Sequence, residues 1–582
     1  MRAKVKDEVT GTGESGRLSG CVALARRARQ ARERSPRVSR TPRRAGRRRR
    51  AQAVLPLRAM TLPVRLRPLV ATAVLSLLLS CGGSGSKAPS DASFYDVSSA
   101  PARYAAVAQA FASDVRASGA PGASLGIVAL AYAVGVGRTA PGGDVRVAPT
   151  TLFRIGSVTK MMTALAVLQE VQAGRVALDD AVVAHVPGFH LAADDVSGVT
   201  VRELLEHTAA LSDYLEVNAP AGEKGDDALE AFLTGRFADL DYLMAPPGIF
   251  YNYSNPNFML AGLVAETTSS LPYRQLMDER VFGPLGMDRT FFLPSDVLAD
   301  GDFAVGATTA EPAAGIPAVV RPDSYDNGWG RPAGYAWSSP ADLARFAAFL
   351  MDGDETVLSP TLHALMTSPT RDTQEALDLI RYGYGLQGTP GFFLDGAWRP
   401  ARTLQHDGAI AGFSSYVMVL PEQRFAVIML ASGDGAAPFL QTLLAALRLP
   451  VLPAPTAGPD LAPDSSTFAE EAGTYEDPHL AGTVTVTLSG GALRVDIPAA
   501  TAAGISYDAV LVPSSPRNFL ITIEGRQFPL TFIHGGPADP TWLRTRLFVA
   551  ERAPAGSVRG DHPAPPQDLS AARFAAALRS VR

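Results

Sequence analysis

The spacing of apolar and polar positions predicts that helices and strands share one domain, residues 101–448. Residues 102–118 have apolar positions at helical spacing, and an apolar helix is expected after Phe153. Residues 123–136 are apolar and β-prone, which is typical of a central hairpin, and residues 413–431 have the pattern of a second hairpin. Strands packed on helices predict an α/β fold.

A different pattern begins after the proline-rich residues 449–466, which predict a stiff linker. Residues 467–553 hold short β-prone runs separated by Gly, Pro and Asn, and their even spacing predicts a small antiparallel β-barrel or sandwich. The predicted strands are Thr483–Thr487, Ala492–Ile497, Ala509–Val512, Phe519–Ile523, Gln527–Ile533 and Leu543–Val549. Few contacts are expected to cross the linker, and residues 554–582 form a tail.

The net charge of −4 conceals an uneven distribution. Residues 1–80 carry 20 Lys and Arg against 4 Asp and Glu, so the remainder of the chain is acidic. The arginine-rich residues 1–59 lack apolar periodicity and cannot form a core. We interpret them as an extension that is disordered or not translated, rather than as a nucleic-acid-binding arm.

Residues 60–80 are organised like a bacterial export signal, because Met60 opens a basic stretch and an apolar run precedes Cys81. The apolar run is too short to span a bilayer as a mature helix. Residues 78–81 resemble a lipobox, which predicts cleavage before Cys81 and a lipid on that cysteine. The mature protein would then lie on the periplasmic or cell-surface face of a membrane, held by a Gly- and Ser-rich tether, residues 81–100.

Cysteine and histidine usage excludes several classes of site. The only cysteines are Cys21 and Cys81, so the exported part of the chain has no disulfide and no thiolate metal site. None of the eight histidines precedes Glu, which excludes a His-Glu-x-x-His zinc motif. No metal and no cofactor are therefore expected.

The segment Phe153–Lys160 places Ser157 and Lys160 one helical turn apart at the start of an apolar helix. Such a pair joins a nucleophile to a base, because burial can hold a lysine uncharged and a helix N-terminus favours a developing oxyanion. Lysine is rare in this chain and occurs at positions 4, 6, 87, 160 and 224. Arginine cannot give up its proton, so a lysine retained inside a helix indicates proton transfer.

Two further segments carry polar groups at constrained positions. Tyr253 and Asn255 follow two prolines and a glycine, so we expect them on a loop before a helix over residues 258–267. The phenol can relay a proton, and the amide can bind a substrate carbonyl. His406 and Gly408 lie at the edge of a predicted strand, where glycine permits close approach of a substrate and leaves an N–H available to an oxyanion.

Ser-x-x-Lys, Tyr-x-Asn and His-x-Gly, in this order and at these separations, resemble the motifs of the serine β-lactamase-like hydrolases. This family includes class C β-lactamases, D-alanyl-D-alanine carboxypeptidases, D-aminopeptidases and related esterases. Supporting phrases are Leu204-Leu205-Glu206-His207-Thr208, Pro246-Pro247-Gly248, Pro284-Leu285-Gly286-Met287 and residues 338–346. The resemblance implies a β-lactamase-like fold, with an antiparallel sheet flanked by helices and an all-helical subdomain. Several relatives carry a lipocalin-like barrel in the place of residues 467–553.

The resemblance also implies a role for each motif residue. The implied catalytic residues are Ser157, Lys160 and Tyr253, the implied substrate-binding residues are Asn255, His406 and Gly408, and the oxyanion hole would consist of the backbone N–H groups of Ser157 and Ala409. Ser157 would be the acylated nucleophile. Which of Lys160 and Tyr253 takes its proton stays open.

The chain departs from the family at the Lys-Thr-Gly motif, because no lysine of the exported part precedes Thr-Gly or Ser-Gly. His406 stands in its place and would supply a cation for a substrate carboxylate only when protonated. We therefore expect an esterase or a peptidase, acting on a small-molecule or peptide substrate, rather than an efficient β-lactamase. The alternative is a catalytically weak binding or scaffolding protein of the cell envelope. The oligomeric state stays open.

Overall fold

The computed structural model describes residues 92–128, 131–213, 223–308, 317–375, 379–535 and 541–554, all of which belong to one compact unit. The arginine-rich extension, the export signal, the predicted lipidation site Cys81 and residues 555–582 lie outside the described residues. What the sequence predicts for them stays a prediction.

The first sheet is antiparallel. Its strands are Gly122–Val128 (β1), Tyr132–Gly137 (β2), Arg371–Asp372 (β3), Arg381–Gly383 (β4), Leu386–Thr389 (β5), Thr403–Ile410 (β6), Phe413–Leu420 (β7) and Phe425–Ala431 (β8). They lie in the order β2-β1-β8-β7-β6-β5-β4-β3. In the centre of the sheet, Ala431 of β8 stands opposite Ala123 on one side and Ser414 on the other. Every residue of β7 is buried, because both faces of the sheet are covered.

Helices of the first part of the chain supply that cover, and the last two helices, which follow residue 467, pack in the C-terminal part. The helices are Ala105–Ser118 (α1), Thr159–Gln172 (α2), Val182–His185 (α3), Val201–Glu206 (α4), Ala228–Ala231 (α5), Phe237–Leu240 (α6), Asn255–Ser269 (α7), Tyr273–Met277 (α8), Gly283–Leu285 (α9), Pro294–Asp300 (α10), Arg331–Gly334 (α11), Pro340–Asp352 (α12), Pro360–Met366 (α13), Leu440–Ala446 (α14), Phe468–Glu471 (α15) and Pro498–Ala502 (α16). On one face of the sheet, Phe111 of α1 and Leu443 of α14 share an apolar cluster with Met429. On the other face, Phe346 of α12 shares a cluster with Ile428. The predicted α/β architecture is confirmed.

Helices α2 and α7 form the centre of the helical part. Residues 159–168 of α2 and residues 256–265 of α7 are all buried, which is typical of helices inside a core. Helix α7 begins at Asn255 and has Pro256 in its first turn, where a proline costs no hydrogen bond. The prediction of a loop at Asn255 is therefore wrong, because the proline starts the helix three residues earlier than the apolar pattern indicates.

The C-terminal part forms a second antiparallel sheet, as predicted. Its strands are Gly473–Asp477 (β9), Gly482–Ser489 (β10), Ala492–Asp496 (β11), Val512–Ser515 (β12), Asn518–Ile523 (β13), Arg526–His534 (β14), Thr541–Arg544 (β15) and Val549–Arg552 (β16). They lie in the order β11-β10-β9-β16-β15-β14-β13-β12. Val495 N donates to Ala509 O at 2.8 Å and Leu511 N to Leu493 O at 3.0 Å, so β11 is bonded to the segment that precedes β12. The likeness to a lipocalin stays a prediction.

The prediction of one strand over Leu543–Val549 is wrong. The chain forms β15 and β16 there, joined by a turn in which Thr545 Oγ1 accepts hydrogen bonds from the backbone N–H groups of Leu547 and Phe548, both at 3.1 Å. The turn contains no glycine or proline, and its composition is β-prone, so the sequence pattern predicted a continuous strand there. Arg546 also lies in this turn, outside both strands.

The expectation that few contacts cross the linker is also wrong. Arg544 of β15 is 3% exposed and donates hydrogen bonds of 2.9 Å to the backbone carbonyls of Thr373 and Gln374. The ring of Tyr242 stacks on that of His479 with 3.7 Å between centroids. Buried groups therefore fasten the second sheet to the part of the chain that carries the first, and the proline-rich connection does not isolate it.

Candidate active site

The turn that carries Ser157 packs closely against strand β6. Ser157 lies in a 3₁₀ turn immediately before α2. A Cβ at Gly156, whose φ is +50°, would lie 2.7 Å from the Ala409 nitrogen, and a Cβ at Gly408 would lie 2.1 Å from the Ile155 oxygen. Glycine at both positions lets the turn approach the strand, and this approach brings the Ala409 nitrogen close to the nucleophile's turn. That a substrate also approaches Gly408 stays a prediction.

Gly408→Ala should disable this arrangement. The added methyl group would lie 2.1 Å from the Ile155 oxygen and 2.3 Å from Ser415 Oγ, so the backbone of one segment must move. Overpacking of this kind costs about 1–3 kcal/mol, and misplacing the nucleophile costs about 10²-fold in rate. We expect a lower melting temperature and a matching loss of kcat/KM for a p-nitrophenyl ester. Gly198→Ala is the matched control, since a methyl group there meets nothing within 4 Å; equal behaviour of the two variants would contradict this packing.

Lys160 is buried, and three acceptors surround its side-chain nitrogen. Nζ lies 3.0 Å from Ser157 Oγ, 2.6 Å from Asn255 Oδ1 and 2.6 Å from the Ala333 carbonyl oxygen. The amide and carbonyl oxygens can only accept, whereas the hydroxyl can also donate. The geometry therefore suits both protonation states, because a neutral Nζ keeps two N–H groups for Asn255 and Ala333 and turns its lone pair to the Ser157 hydroxyl.

The surroundings of Lys160 favour the neutral form. Burial lowers the pKa of Lys160 from 10.5 to about 7, against the opposing charge of Asp213. Arg546 lowers this pKa further, and Asp407 raises it. The neutral fraction of the amine therefore grows as the pH rises through about 7, which is the range in which a general base is most useful.

Tyr253 completes the group around Ser157. It shares a hydrogen bond with Ser157, and Lys160 Nζ lies 5.0 Å from the centre of its ring. Burial raises the pKa of Tyr253 above its usual range, although Arg546 and the hydrogen bond with Ser157 lower it. The phenol is therefore protonated near neutral pH and is suited to passing a proton along.

His207 supports Tyr253 from within the core. The centroids of the two rings lie 4.3 Å apart. His207 Nδ1 accepts hydrogen bonds from the Ser254 backbone N–H at 3.2 Å and from the side-chain amide of Asn257 at 3.1 Å. Burial holds the pKa of His207 well below its usual range, so the ring is neutral and both bonds to Nδ1 are available.

His406 is buried and neutral as well. Its Nε2 lies 3.3 Å from the Tyr382 hydroxyl, and its Nδ1 lies 2.6 Å from the Asp407 carbonyl oxygen, which makes Nδ1 the donor. Burial lowers the pKa of His406 to about 4, although the charge of Asp407 raises it. His406 is therefore no cation near neutral pH, and its predicted contact with substrate stays a prediction.

A cation reaches the site from the second sheet instead. The turn between β15 and β16 places the guanidinium carbon of Arg546 4.7 Å from the centre of the Tyr253 ring. Arg546 Nε donates to Asp213 Oδ2 at 2.8 Å, and Nη2 donates to the same oxygen. Asp213 Oδ1 accepts from the Asn255 backbone N–H at 2.7 Å. The carboxylate thus ties the turn of the second sheet to the first turn of α7.

Comparison with known proteins shows which family the chain belongs to. A family model described as Beta-lactamase matches residues 107–450, which is more than half of the chain. The chain belongs to the beta-lactamase family. Within this family, it is 29% identical over 359 residues to penicillin-binding protein 4 of Amycolatopsis lactamdurans, a match that covers 57% of this chain and 88% of the relative. It is 26% identical over 298 residues to Protein flp of Staphylococcus aureus (strain MW2), covering 50% of this chain and 54% of the relative.

A solved structure extends the likeness beyond the matched region. The crystal structure of SurE has a TM-score of 0.57 and is 26% identical, covering 78% of this chain and 99% of SurE. This share is larger than the one that residues 107–450 represent, so the likeness extends beyond the region that the family model matches. The predicted resemblance to the beta-lactamase family is confirmed, and so is its α/β fold.

Of the residues predicted from the family motifs, the structure brings Ser157, Lys160, Tyr253 and Asn255 into one hydrogen-bonded group. Sequence reasoning missed Asp213 and Arg546, which are 333 residues apart. No local pattern links that pair. It also left His207 without a role, although this histidine stands inside the quoted phrase 204–208. Its neighbours Glu206 and Thr208 are polar, so no local pattern marks His207 as buried.

Proposed function

We propose that this beta-lactamase-family protein is an exported, lipid-anchored serine hydrolase that forms an acyl-enzyme on Ser157 with an ester or amide (peptide) substrate. The observation that carries the proposal is the 3.0 Å contact between Lys160 Nζ and Ser157 Oγ, in surroundings that lower the pKa of the lysine to about 7. Acyl transfer needs a nucleophile within hydrogen-bonding reach of a base that is neutral near the working pH.

In the proposed reaction, neutral Lys160 takes the proton of Ser157 as Oγ attacks the substrate carbonyl carbon. The oxyanion of the tetrahedral intermediate accepts hydrogen bonds from the backbone N–H groups of Ser157 and Ala409. The bond to the leaving group then breaks, and the proton held by Lys160 passes to the leaving atom through the Tyr253 hydroxyl. Water then attacks the acyl-enzyme carbonyl while Lys160 takes its proton, the bond to Ser157 Oγ breaks, and Oγ recovers the proton from Lys160 as the acid is released.

The pKa values favour Lys160 over Tyr253 as the base. At a pH equal to its pKa of about 7, roughly half of the lysine is neutral and ready to accept a proton. Burial raises the pKa of Tyr253 above its usual range, so the phenolate is a negligible species at that pH. Tyr253 is better suited to relaying the proton, because its hydroxyl both donates and accepts.

We propose esters and peptides as the substrates, with D-amino-acid peptides among them. Burial lowers the pKa of His406 to about 4, so strand β6 offers no fixed cation, and this argues against efficient β-lactam turnover. A structure of SurE with D-Leu is similar to this chain, with a TM-score of 0.56 and 25% identity. That ligand supports including D-amino-acid peptides in the test.

A substrate panel tests the proposal. The full chain and Ser157→Ala are compared on a p-nitrophenyl ester, a D-amino-acid peptide and a chromogenic cephalosporin. We expect turnover of the ester or the peptide to exceed turnover of the cephalosporin, and Ser157→Ala to abolish it. Hydrolysis that survives Ser157→Ala would contradict the proposal. An acyl-enzyme that forms but does not turn over would favour the alternative, a binding protein of the cell envelope.

We also propose that the second sheet is a small lipocalin-like barrel that shapes access to Ser157. The two backbone hydrogen bonds that join β11 to the segment before β12 support closure of the barrel. The turn that carries Arg546 to the Tyr253 ring supports a role in access.

The mature protein is expected to begin at Cys81 with a lipid on it. The basic stretch after Met60 and the apolar run before Cys81 motivate this prediction. No helix in the described part of the chain is both long and apolar enough to cross a membrane, and two or three acyl chains suffice for stable anchoring. Intact-mass analysis of the membrane fraction should show an acylated chain that starts at Cys81. An unmodified chain that starts at Met1 would contradict the prediction.

A further inference from the structure

We propose that Thr163 is a positioning residue, which holds helix α11 so that the Ala333 carbonyl oxygen meets the side-chain nitrogen of Lys160. The inference rests on the proposed function, because it concerns the base of the same Ser157 site. Thr163 would act through Lys160 and not by contact with the reacting atoms.

Two carbonyl groups of α11 are bound by side chains of α2. The last carbonyl groups of a helix have no partner within it. Lys160 Nζ donates a hydrogen bond of 2.6 Å to the Ala333 oxygen, and Thr163 Oγ1 donates one of 2.7 Å to the Pro332 oxygen. Lys160 and Thr163 are three residues apart and so lie on one face of α2. The base and the residue that fixes its acceptor therefore belong to one helix.

A second hydroxyl fixes the direction of the bond from Thr163. The Pro332 oxygen can only accept, so the Thr163 hydroxyl donates to it, whereas the Thr159 oxygen is farther away at 3.3 Å. The Tyr273 hydroxyl lies 2.8 Å from Thr163 Oγ1 and must then be the donor to it. Thr163 is fully buried and Tyr273 is 3% exposed. Water is therefore kept from competing for these two bonds.

Packing holds α11 from the other side. A Cβ at Gly262 of α7 would lie 2.4 Å from the Cβ and Cγ atoms of Pro332, so glycine at this position lets α11 approach α7 closely. Pro332 thus lies between α7, which it contacts, and α2, to which Thr163 binds it. Close packing on one side and a hydrogen bond on the other fix the direction of the Ala333 carbonyl.

A fixed Ala333 carbonyl orients the lone pair of Lys160. A neutral amine has two N–H groups and one lone pair. When Asn255 and Ala333 accept the two N–H groups, the lone pair is left for Ser157 Oγ at 3.0 Å. If the Ala333 oxygen moves away, the amine is free to rotate, and its protonated form loses an acceptor that stabilises it. Loss of the Thr163 hydroxyl should therefore slow the reaction and move the midpoint of its pH profile to lower pH.

Thr163→Val tests the inference on the full chain, because valine keeps the branched shape and removes the hydroxyl. With a p-nitrophenyl ester, we expect kcat to fall about 10-fold, as expected for losing one buried hydrogen bond. KM should not change, because the substrate does not meet Thr163, and the pH midpoint of kcat should fall below that of the parent. Thr163→Ser should restore both kcat and the midpoint, since serine retains the hydroxyl.

Two further variants complete the design. Tyr273→Phe removes the donor to Thr163 and should change kcat and the midpoint in the same direction by a smaller amount, which keeps the test decisive if Thr163→Val does not fold. Thr268→Val is the matched control, because Thr268 Oγ1 donates at 2.8 Å to the Val264 oxygen of its own helix, and it should leave both values unaffected. The charged and titratable groups that face Lys160 are the same in all variants, namely Asp213, Asp407, Arg546, Tyr253, His207 and His406.

NMR of the lysine side chains measures the base without a substrate. The full chain has five lysines, so a sample with 13C-labelled lysine gives few signals, and the signal lost in Lys160→Arg belongs to Lys160. We expect this signal to titrate at lower pH in Thr163→Val than in the parent. Equal midpoints for these two proteins, or a Thr163→Ser variant as slow as Thr163→Val, would overturn the inference and leave the proposed function standing. If Ser157 of the parent is never acylated, the proposed function fails and this inference fails with it.

Discussion

Lys160→Arg should be nearly as inactive as Lys160→Ala, with acylation slower by about 10²–10⁴-fold in both variants. Arginine keeps the positive charge and roughly the length of lysine, but it cannot give up its proton. The 3.0 Å contact with Ser157 Oγ would then join the nucleophile to a permanent cation. The measurement is the acylation rate with a p-nitrophenyl ester, and Ser157→Ala sets the baseline.

The pH dependence checks the same residue independently. Burial lowers the pKa of Lys160 to about 7, so acylation should rise as the pH increases through about 7 and level off above about 8. Asp213 and Asp407 raise this pKa and Arg546 lowers it, so each of these charges contributes to the midpoint. If Lys160→Arg hydrolyses the ester within a few-fold of the parent, the lysine is not the base and the role moves to Tyr253.

Arg544→Met should lower the free energy of unfolding by about 2–3 kcal/mol. Arg544 is 3% exposed and donates hydrogen bonds to the backbone carbonyls of Tyr251, Thr373 and Gln374. Methionine fills most of the volume and removes the cost of burying a charge, but it leaves these buried carbonyls without a donor. Urea unfolding measures the change, and kcat/KM should fall as well, because the turn that carries Arg546 follows directly.

The control for this variant is Arg494→Met, which changes an exposed arginine on the same sheet. Surface substitutions of this kind are usually worth within about 0.5 kcal/mol. Equal unfolding midpoints for the two variants would mean that Arg544 does not fasten the second sheet to the first.

Local spacing predicted the parts of the site that lie within a few residues of each other. Ser157 and Lys160 are one helical turn apart, so any helix at that place brings the hydroxyl and the amine together. Lys160 contacts Asn255, which is 95 residues away in sequence. That both belong to one site was implied by the family resemblance and not by their spacing. The order of the elements was likewise predictable, because apolar periodicity reports local burial.

The electrostatics of the site depended on tertiary contacts that local patterns do not contain. His406 is neutral because the sheet and Tyr382 bury it, and burial of a single residue cannot be deduced from its neighbours in sequence. Arg546 was missed because its turn has strand-like composition and lacks glycine and proline. Its partner Asp213 lies 333 residues away, so the cation of the site became visible only once the second sheet was placed against the first.

The most direct test of Ser157 as the nucleophile is to trap the acyl-enzyme and locate the acyl group. The protein is mixed with a p-nitrophenyl ester, quenched in acid within the first turnovers, digested, and analysed by mass spectrometry. We expect a mass increase equal to the acyl group on the peptide that contains Ser157, and no increase in Ser157→Ala. Turnover without an adduct on Ser157, or an adduct on a different residue, would contradict this role of Ser157.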